Sequence, residues 1–198
     1  MPNTIYLSRH GQSEYNLLDK IGGDSSISKN GQEYAKSLFE YVNSNENIHE
    51  IKIYTSQLKR TKETAQYFPE ENKENLDYLN EINAGIFEDF TYLEIKDKYF
   101  DEYIRRKEDK YNYRYPSGES YKDLKNRVLE IFKKINNDYT NVLIICHNAV
   151  ARIIYSVLQD IDDNDEIPYI DIPLHTLFKF EFDYDQYKLT EIDLSNIN

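Results

Sequence analysis

The tripeptide Arg9-His10-Gly11 sets an imidazole beside a guanidinium, a pair with a natural chemistry toward phosphate. A guanidinium presents a planar fork of N–H donors matched to phosphate oxygens, and a neutral imidazole is a nucleophile able to attack phosphorus. Gly11 adds a point where backbone can approach a ligand closely. A second histidine, His147, follows the apolar run NVLIIC at 141–146 much as His10 follows TIYLS at 4–8, so each comes directly after a strand. Taken singly, these residues also have plainer readings. His10 fits a histidine ending a strand beside a surface arginine, Arg60 a solvated residue on a charged helix, Glu81 a loop carboxylate, and His147 a core histidine hydrogen-bonded internally. The chemistry depends on whether the fold brings them together.

The elements that would do so can be read along the chain. TIYLS is a buried strand, followed by a loop through Gly22 and Gly23. SKNGQEYAKSLFEYV carries Tyr34, Ala35, Leu38, Tyr41 and Val42 at helical spacing, with Ser28 as cap. IKIYT (51–55) reads as a second strand, and Gln57 to Phe68 as a helix ended by Pro69. Residues 69–120 are irregular, with a short helix over 91–99 and a YPSGES turn at 115–120; insertions of this kind build active-site walls or lids. Glu119 to Ile135 reads as one amphipathic helix, NVLIIC as a buried strand, and Ala149 to Leu158 as a further helix. TLFKFEF (176–182) and YKLTEID (187–193) alternate apolar and polar residues around an Asp-rich turn, a closing hairpin. Strands alternating with helices predict a single α/β domain over 1–198, with a largely parallel sheet covered on both faces in three layers. Ligands of such sheets bind outside the carboxyl ends of the strands, where His10 and His147 both fall.

Composition narrows the partners. A net charge of −12 opposes nucleic acid and anionic membrane, and no apolar stretch approaches the length of a bilayer span. Cys146 is the only cysteine, which fits a reducing compartment and predicts a cytoplasmic protein. The 19 tyrosines without any tryptophan read as a broad bias and not as a base-stacking platform. An acidic chain that binds a phosphate must gather its cations locally, so where the arginines lie matters more than how many there are. The two candidate histidines lack close acidic or cysteine partners, so neither a metal nor another cofactor is expected.

RHGQSEYN, TSQLKRTKETA at 55–65, NEINAG at 80–85 and CHNAVAR at 146–152 together resemble the histidine phosphatase superfamily, in its order and at about its spacing. Within it, IYLSRHGQSEYN, IGGD at 21–24, LNEINAG, DKYNYRYPSGESY at 109–121 and PLHT at 173–176 look most like the fructose-2,6-bisphosphatase domain of the bifunctional 6-phosphofructo-2-kinase/fructose-2,6-bisphosphatase family. The resemblance implies a phosphoglycerate-mutase-like fold and a phosphatase acting on a small sugar bisphosphate. It implies His10 as the nucleophile that becomes phosphohistidine, with Arg9, Arg60, Asn16 and His147 around the phosphoryl oxygens. Glu81 would protonate the departing sugar oxygen and then activate water. Gly22, Tyr92, Arg106, Lys110, Tyr121, Asn148 and Arg152 would bind the rest of the substrate, the 6-phosphate included. Asn148 stands where that family usually has glutamine, one methylene longer, and a water could bridge the difference. His49 and His175 read as structural. No G-x-x-x-x-G-K-[ST] phosphate loop occurs, so no kinase half is expected within these residues.

Three other functions fit some of the same features. A phosphoglycerate mutase would share the phosphohistidine, a broad-specificity sugar-phosphate phosphatase would share the chemistry, and a phosphate-binding module would need neither. INAG after Glu81 and the RYPSGESY block favour the bisphosphatase, and the full set of candidate catalytic residues disfavours a non-catalytic module.

Overall fold

The computed structural model describes residues 2–136, 140–183 and 186–195. Strand β1 (Thr4–Arg9) lies at the middle of a six-stranded sheet with β2 (Lys52–Thr55), β3 (Lys73–Asn75), β4 (Val142–Cys146), β5 (Thr176–Asp183) and β6 (Gln186–Asp193), in the order β3-β2-β4-β1-β5-β6. β3, β2, β4 and β1 run parallel, whereas β5 and β6 form an antiparallel hairpin against β1. Residues 184 and 185, within the Asp-rich turn read between the hairpin strands, lie outside the described residues. The expected three-layer α/β arrangement with a largely parallel sheet is the one observed.

Both faces of the central strands are apolar because both are covered. From β1, Ile5 and Leu7, and from β4, Val142, Ile144 and Cys146, pack with Leu124, Val128, Ile131, Val150 and Ile154 of helices α6 (Tyr121–Val128), α7 (Glu130–Ile135) and α8 (Asn148–Leu158). Tyr6, Leu143 and Ile145 face the other way, against Tyr34, Leu38 and Val42 of α2 (Lys29–Asn45) and against Ala65 and Phe68 beyond α3 (Lys59–Thr64). Each buried aliphatic side chain contributes about 1.5–3 kcal/mol. A third cluster, Phe87, Ile95, Tyr113 and Tyr115 with neighbours, holds the insertion that contains α4 (Tyr92–Lys98) and α5 (Phe100–Glu108). The remaining helix, α1 (Glu14–Leu17), is a single turn after β1.

Departures from the sequence reading have local causes. The helix read over Gln57–Phe68 is only Lys59–Thr64: the Leu58 N–H is taken by Ser56 Oγ at 3.1 Å, and Thr61 and Thr64 hydroxyls bond to backbone carbonyls. The helix read over 119–135 begins directly after its N-cap Ser120, whose capping box includes Asp123, and breaks at Leu129 into α6 and α7. β3 and α5 fall in the stretch read as irregular. β3 is a polar edge strand without an apolar signature, and α5 buries none of its residues.

The loop after β1 is fixed by one tight backbone contact. A Cβ on Gly11 would lie 2.6 Å from the Gly31 carbonyl oxygen, and one on Gly31 would strike the Gln12 carbonyl oxygen. Gly11 therefore serves an approach to the start of α2, whereas the sequence reading gave it an approach to ligand. In Gly31→Ala the helix-propensity gain, about 1 kcal/mol, opposes an overpacking cost of about 1–3 kcal/mol. The variant should melt several degrees below wild type by calorimetry, and an unchanged or higher Tm would show that the loop yields freely.

Candidate active site

The carboxyl ends of β1, β4 and β2 meet at one edge of the sheet. Arg9 pairs with Cys146 in register, and the His10 N–H donates to the Cys146 carbonyl at 2.9 Å, so His10 and His147 leave adjacent strands side by side. Their ring centroids are 5.2 Å apart at an angle of 56°. Here opens a cavity of about 770 Å³ walled by Arg9, His10, Asn16, Gly22, Arg60, Glu81, Tyr92, Arg106, Lys110, Tyr121, Asn148 and Arg152. Every catalytic or substrate-binding candidate from the sequence is in this wall except His147, which is fully buried; Gly11, read as a point of ligand approach, is not in it.

His10 is held as a neutral imidazole. Its Nδ1 lies 2.8 Å from the Gly11 carbonyl, which can only accept, so Nδ1 carries the proton and Nε2 keeps its lone pair. Burial first, then the charges of Arg60 and Arg9, push its pKa well below the ordinary histidine value. The same three influences, in the same order apart from the neighbouring His10, depress His147.

The hydrogen bonds around His147 run in a single direction. Arg60 Nε must donate, and it donates to His147 Nδ1 at 3.1 Å. His147 Nε2 therefore carries the proton and donates to Ser56 Oγ at 2.8 Å. Ser56 passes on to Thr61 Oγ1 at 2.8 Å, which reaches the Leu58 carbonyl at 2.9 Å. Both ring nitrogens are thus occupied. The sequence reading set His147 among the groups around the phosphoryl oxygens; here it orients the Arg60 guanidinium, whose NH1 is also fixed by the Gly23 carbonyl at 2.8 Å.

The other cations are anchored in the same manner. Arg9 NH1 donates to the Ile172 carbonyl, Arg152 Nε to the Ile170 carbonyl and Lys110 Nζ to the Pro168 carbonyl, each at 2.7 Å. Alternate carbonyls of one segment thereby hold three cations of the site. Arg106 donates to Tyr115 OH at 2.7 Å and Tyr92 OH at 2.8 Å, and its guanidinium carbon lies 4.6 Å from the Tyr92 ring centroid. Arg152 reaches Tyr121 OH at 3.1 Å. Asn16 uses its side-chain carbonyl to cap α1 through Ser13, which leaves its NH2 end for a ligand. Gly22 has φ +68°, and a Cβ there would strike the Glu88 carboxylate, which ties Gly23 N to Ala84 N. Glu81 accepts from Ile82 N at 2.9 Å and from Ala149 N at 3.4 Å. Arg9 Nε and Asn148 Oδ1 are buried without hydrogen-bond partners, one a donor and the other an acceptor. Both residues line the cavity, where a bound group would supply the missing partners.

Residues 5–194 match the family model described as histidine phosphatase superfamily (branch 1). The chain belongs to the histidine phosphatase superfamily. It is 45% identical over 178 residues to the 6-phosphofructo-2-kinase/fructose-2,6-bisphosphatase of Gallus gallus and 46% identical over 178 residues to 6-phosphofructo-2-kinase/fructose-2,6-bisphosphatase 4 of Homo sapiens. Each match covers 90% of this chain and 37% of the relative, so the chain spans little more than a third of the curated relatives' length. In fold it is similar to a putative alpha-ribazole-5'-P phosphatase from Escherichia coli, with a TM-score of 0.86 at 16% identity over 100% of this chain and 99% of that one.

Sequence reasoning missed Ser56, Tyr115 and the carbonyls of residues 168–172 as parts of this histidine phosphatase site. Ser56 and Tyr115 stand inside the TSQLKRT and RYPSGESY blocks, and the position of Ser56 directly after β2 was a usable signal. Backbone carbonyls leave no mark in a sequence.

Burial, then the charges of Arg152 and Arg106, pull the Lys110 pKa down to about 7. Its charge is present below that pH and is lost above it. A sugar bisphosphate should therefore bind wild type more tightly than Lys110→Met in mild acid, with the ratio shrinking by up to about tenfold per pH unit above pH ~7. Titration calorimetry on both proteins cancels the ligand's own ionisation. A ratio near one at every pH from about 6 to about 9 would show that Lys110 does not bind the ligand, and a constant ratio well above one would show that it does not titrate in this range.

Proposed function

We propose that this chain is a phosphatase that removes the 2-phosphate of fructose-2,6-bisphosphate, giving fructose 6-phosphate and inorganic phosphate. The observation that carries this reading is a cavity lined by several cations, more than a single phosphoryl group needs. Arg9 and Arg60 flank His10, and Arg106, Lys110 and Arg152 stand close enough to one another for the two arginines to depress Lys110. So many suit a ligand with two phosphates. The named activity of the relatives supports the same substrate. The lone buried cysteine supports a cytoplasmic setting, and the acidic charge disfavours nucleic acid as a partner.

In the proposed reaction His10 Nε2 attacks the 2-phosphorus while Arg9, Arg60 and Asn16 hold its oxygens. Positioning and electrostatic stabilisation dominate phosphoryl transfer, and these donors are fixed before substrate arrives. The bond from phosphorus to the sugar oxygen breaks, and that oxygen takes a proton from Glu81. Water then attacks phosphohistidine, gives its proton to Glu81, and phosphate leaves. His147 acts through Arg60. Arg106, Lys110, Tyr92, Tyr121, Arg152 and Asn148 hold the 6-phosphate and sugar, and Gly22 lets its loop close beside them. In this scheme the cationic side chains supply the charge, with no metal ion or other cofactor.

Brief incubation with substrate labelled in its 2-phosphoryl group should label His10 through an acid-labile, base-stable bond and release phosphate. Phosphoglycerates, fructose-1,6-bisphosphate and a generic ester should turn over far more slowly. His10→Ala should lose label and turnover together; undiminished labelling of that variant would refute the assignment. Interconversion of phosphoglycerates without phosphate release would indicate a mutase.

The leaving sugar alkoxide is too basic to depart readily without a proton, and an acid contributes about 10²- to 10⁴-fold. Glu81→Gln should slow His10 phosphorylation by the natural substrate by such a factor. Phosphorylation by an activated aryl phosphate, whose leaving oxygen needs no proton, should change much less, and phosphohistidine should then accumulate as a burst. Single-turnover kinetics on the two esters reads both effects. Equal slowing without a burst would remove Glu81 from the acid–base role.

A further inference from the structure

Glu81 is carried on a segment with little regular structure of its own: the 3₁₀ turn Asp77–Leu79, then an extended run to the Gly85–Phe87 turn. An acid has to be held within a fraction of an ångström of the oxygen it protonates, and a displacement of about 1 Å can cost about 10²-fold in rate. The means of holding this segment lies outside the cavity wall, on α6.

Arg127, in the last turn of α6, spends three of its five donors on it. NH1 donates to the carbonyls of Tyr78 and Asn80, both at 2.8 Å, and NH2 donates to the carbonyl of Glu81 itself at 3.0 Å. The remaining donors form a bidentate pair with Glu119, Nε to Oε1 at 2.7 Å and NH2 to Oε2 at 2.8 Å. Glu119 in turn accepts from the Asn83 N–H at 2.9 Å through Oε2, and its own N–H donates to the Asn83 carbonyl at 2.9 Å. Arg127 and Glu119 are mostly buried, with side-chain exposures of 24% and 21%, so the pair is shielded from the screening that weakens surface ion pairs. Glu119 is held below the ordinary carboxylate range: burial opposes this, but the Arg127 bonds and the Asn83 N–H outweigh it. The backbone is thus pinned at 78, 80, 81 and 83, on both sides of the acid. The Arg127 bond to Glu81 is to its backbone carbonyl and not to its carboxylate.

We propose that Arg127, locked by Glu119, is a positioning residue for general acid–base catalysis: it sets the reach of Glu81 by holding the backbone that carries it. The proposal rests on the reading of Glu81 as the acid. Lysine cannot replace arginine here, because an ammonium has three donors and Arg127 makes five hydrogen bonds in a planar fork. Glu119→Gln is a gentler perturbation. It keeps the three carbonyl bonds of Arg127 and removes the charge that orients the guanidinium.

The test compares wild type, Arg127→Lys, Glu119→Gln and Glu81→Gln on fructose-2,6-bisphosphate and on an activated aryl phosphate, by single-turnover phosphorylation of His10. Arg127→Lys should slow the sugar substrate by about 10- to 100-fold, with KM within about twofold and the aryl ester nearly unaffected. Glu119→Gln should show the same selectivity at smaller amplitude, which keeps the test valid if Arg127→Lys does not fold. If Glu81→Gln is selective for the sugar substrate but the Arg127 and Glu119 variants slow both esters alike, or slow neither, the positioning role is overturned and the acid stands. If Glu81→Gln itself slows both esters equally, the acid assignment falls and the positioning role falls with it.

Discussion

The site depends on keeping its cations free of carboxylates. Among the described residues, Arg9, Arg60, Arg106, Lys110 and Arg152 form no ion pair, although the chain carries 36 acidic residues against 24 lysines and arginines. Each donates instead to a carbonyl, a phenol or an imidazole. A neutral acceptor fixes geometry without setting a carboxylate in direct contact with the cation. A carboxylate in the same place would fix it equally well and cancel the charge. At 4 Å and an effective dielectric near 20, one such charge is worth about 4 kcal/mol to an anion, so several uncancelled cations can invert the field of an acidic protein inside one cavity.

This constraint accounts for parts of the fold that otherwise look incidental. The segment after α8 passes the cavity in a conformation that directs the carbonyls of Pro168, Ile170 and Ile172 at Lys110, Arg152 and Arg9. The three cations come from α8, from β1 and from the turn beyond α5, so one strap sets the spacing between distant parts of the chain. Its own position is set by apolar burial, since Ile167 and Ile172 are in the core shared with α8. Packing thus helps to set where Arg9, Lys110 and Arg152 stand relative to one another. Arg127 shows the opposite arrangement. It is paired with Glu119 and spends its charge on structure, as a residue outside the cavity can.

The legible part of the molecule was the part governed by periodicity and by contiguous motifs. β1, β4, α2 and the β5–β6 hairpin were readable because their apolar positions recur at the spacing of the element, and Ser28 caps α2 through Gly31 N as expected. All candidate site residues but His147 line one cavity because the motifs that hold them sit at strand ends and in the insertion facing them. What escaped was set by contacts without local signature. β3 pairs with β2 through polar residues at an exposed edge, α3 is shortened by hydroxyl–backbone bonds, and His147 is turned away from the wall by an arginine that can only donate. The tight approach of Gly11 is to Gly31, a partner no local sequence rule could name.

The absence of carboxylate pairing also bears on the state of His10. In the proposed reaction His10 attacks with its Nε2 lone pair, which requires a neutral ring at working pH. Burial is the largest cause of its depressed pKa, and the charges of Arg60 and Arg9 add to it. Under the proposed function, pairing either arginine directly with an aspartate would weaken binding of the phosphoryl group and also favour protonation of His10. The hydrogen bond from Nδ1 to the Gly11 carbonyl pulls the other way, favouring the charged ring. That is a useful opposition: the same bond that fixes the tautomer will stabilise the ring as it gains positive character during attack, while burial and the two arginines keep it neutral beforehand.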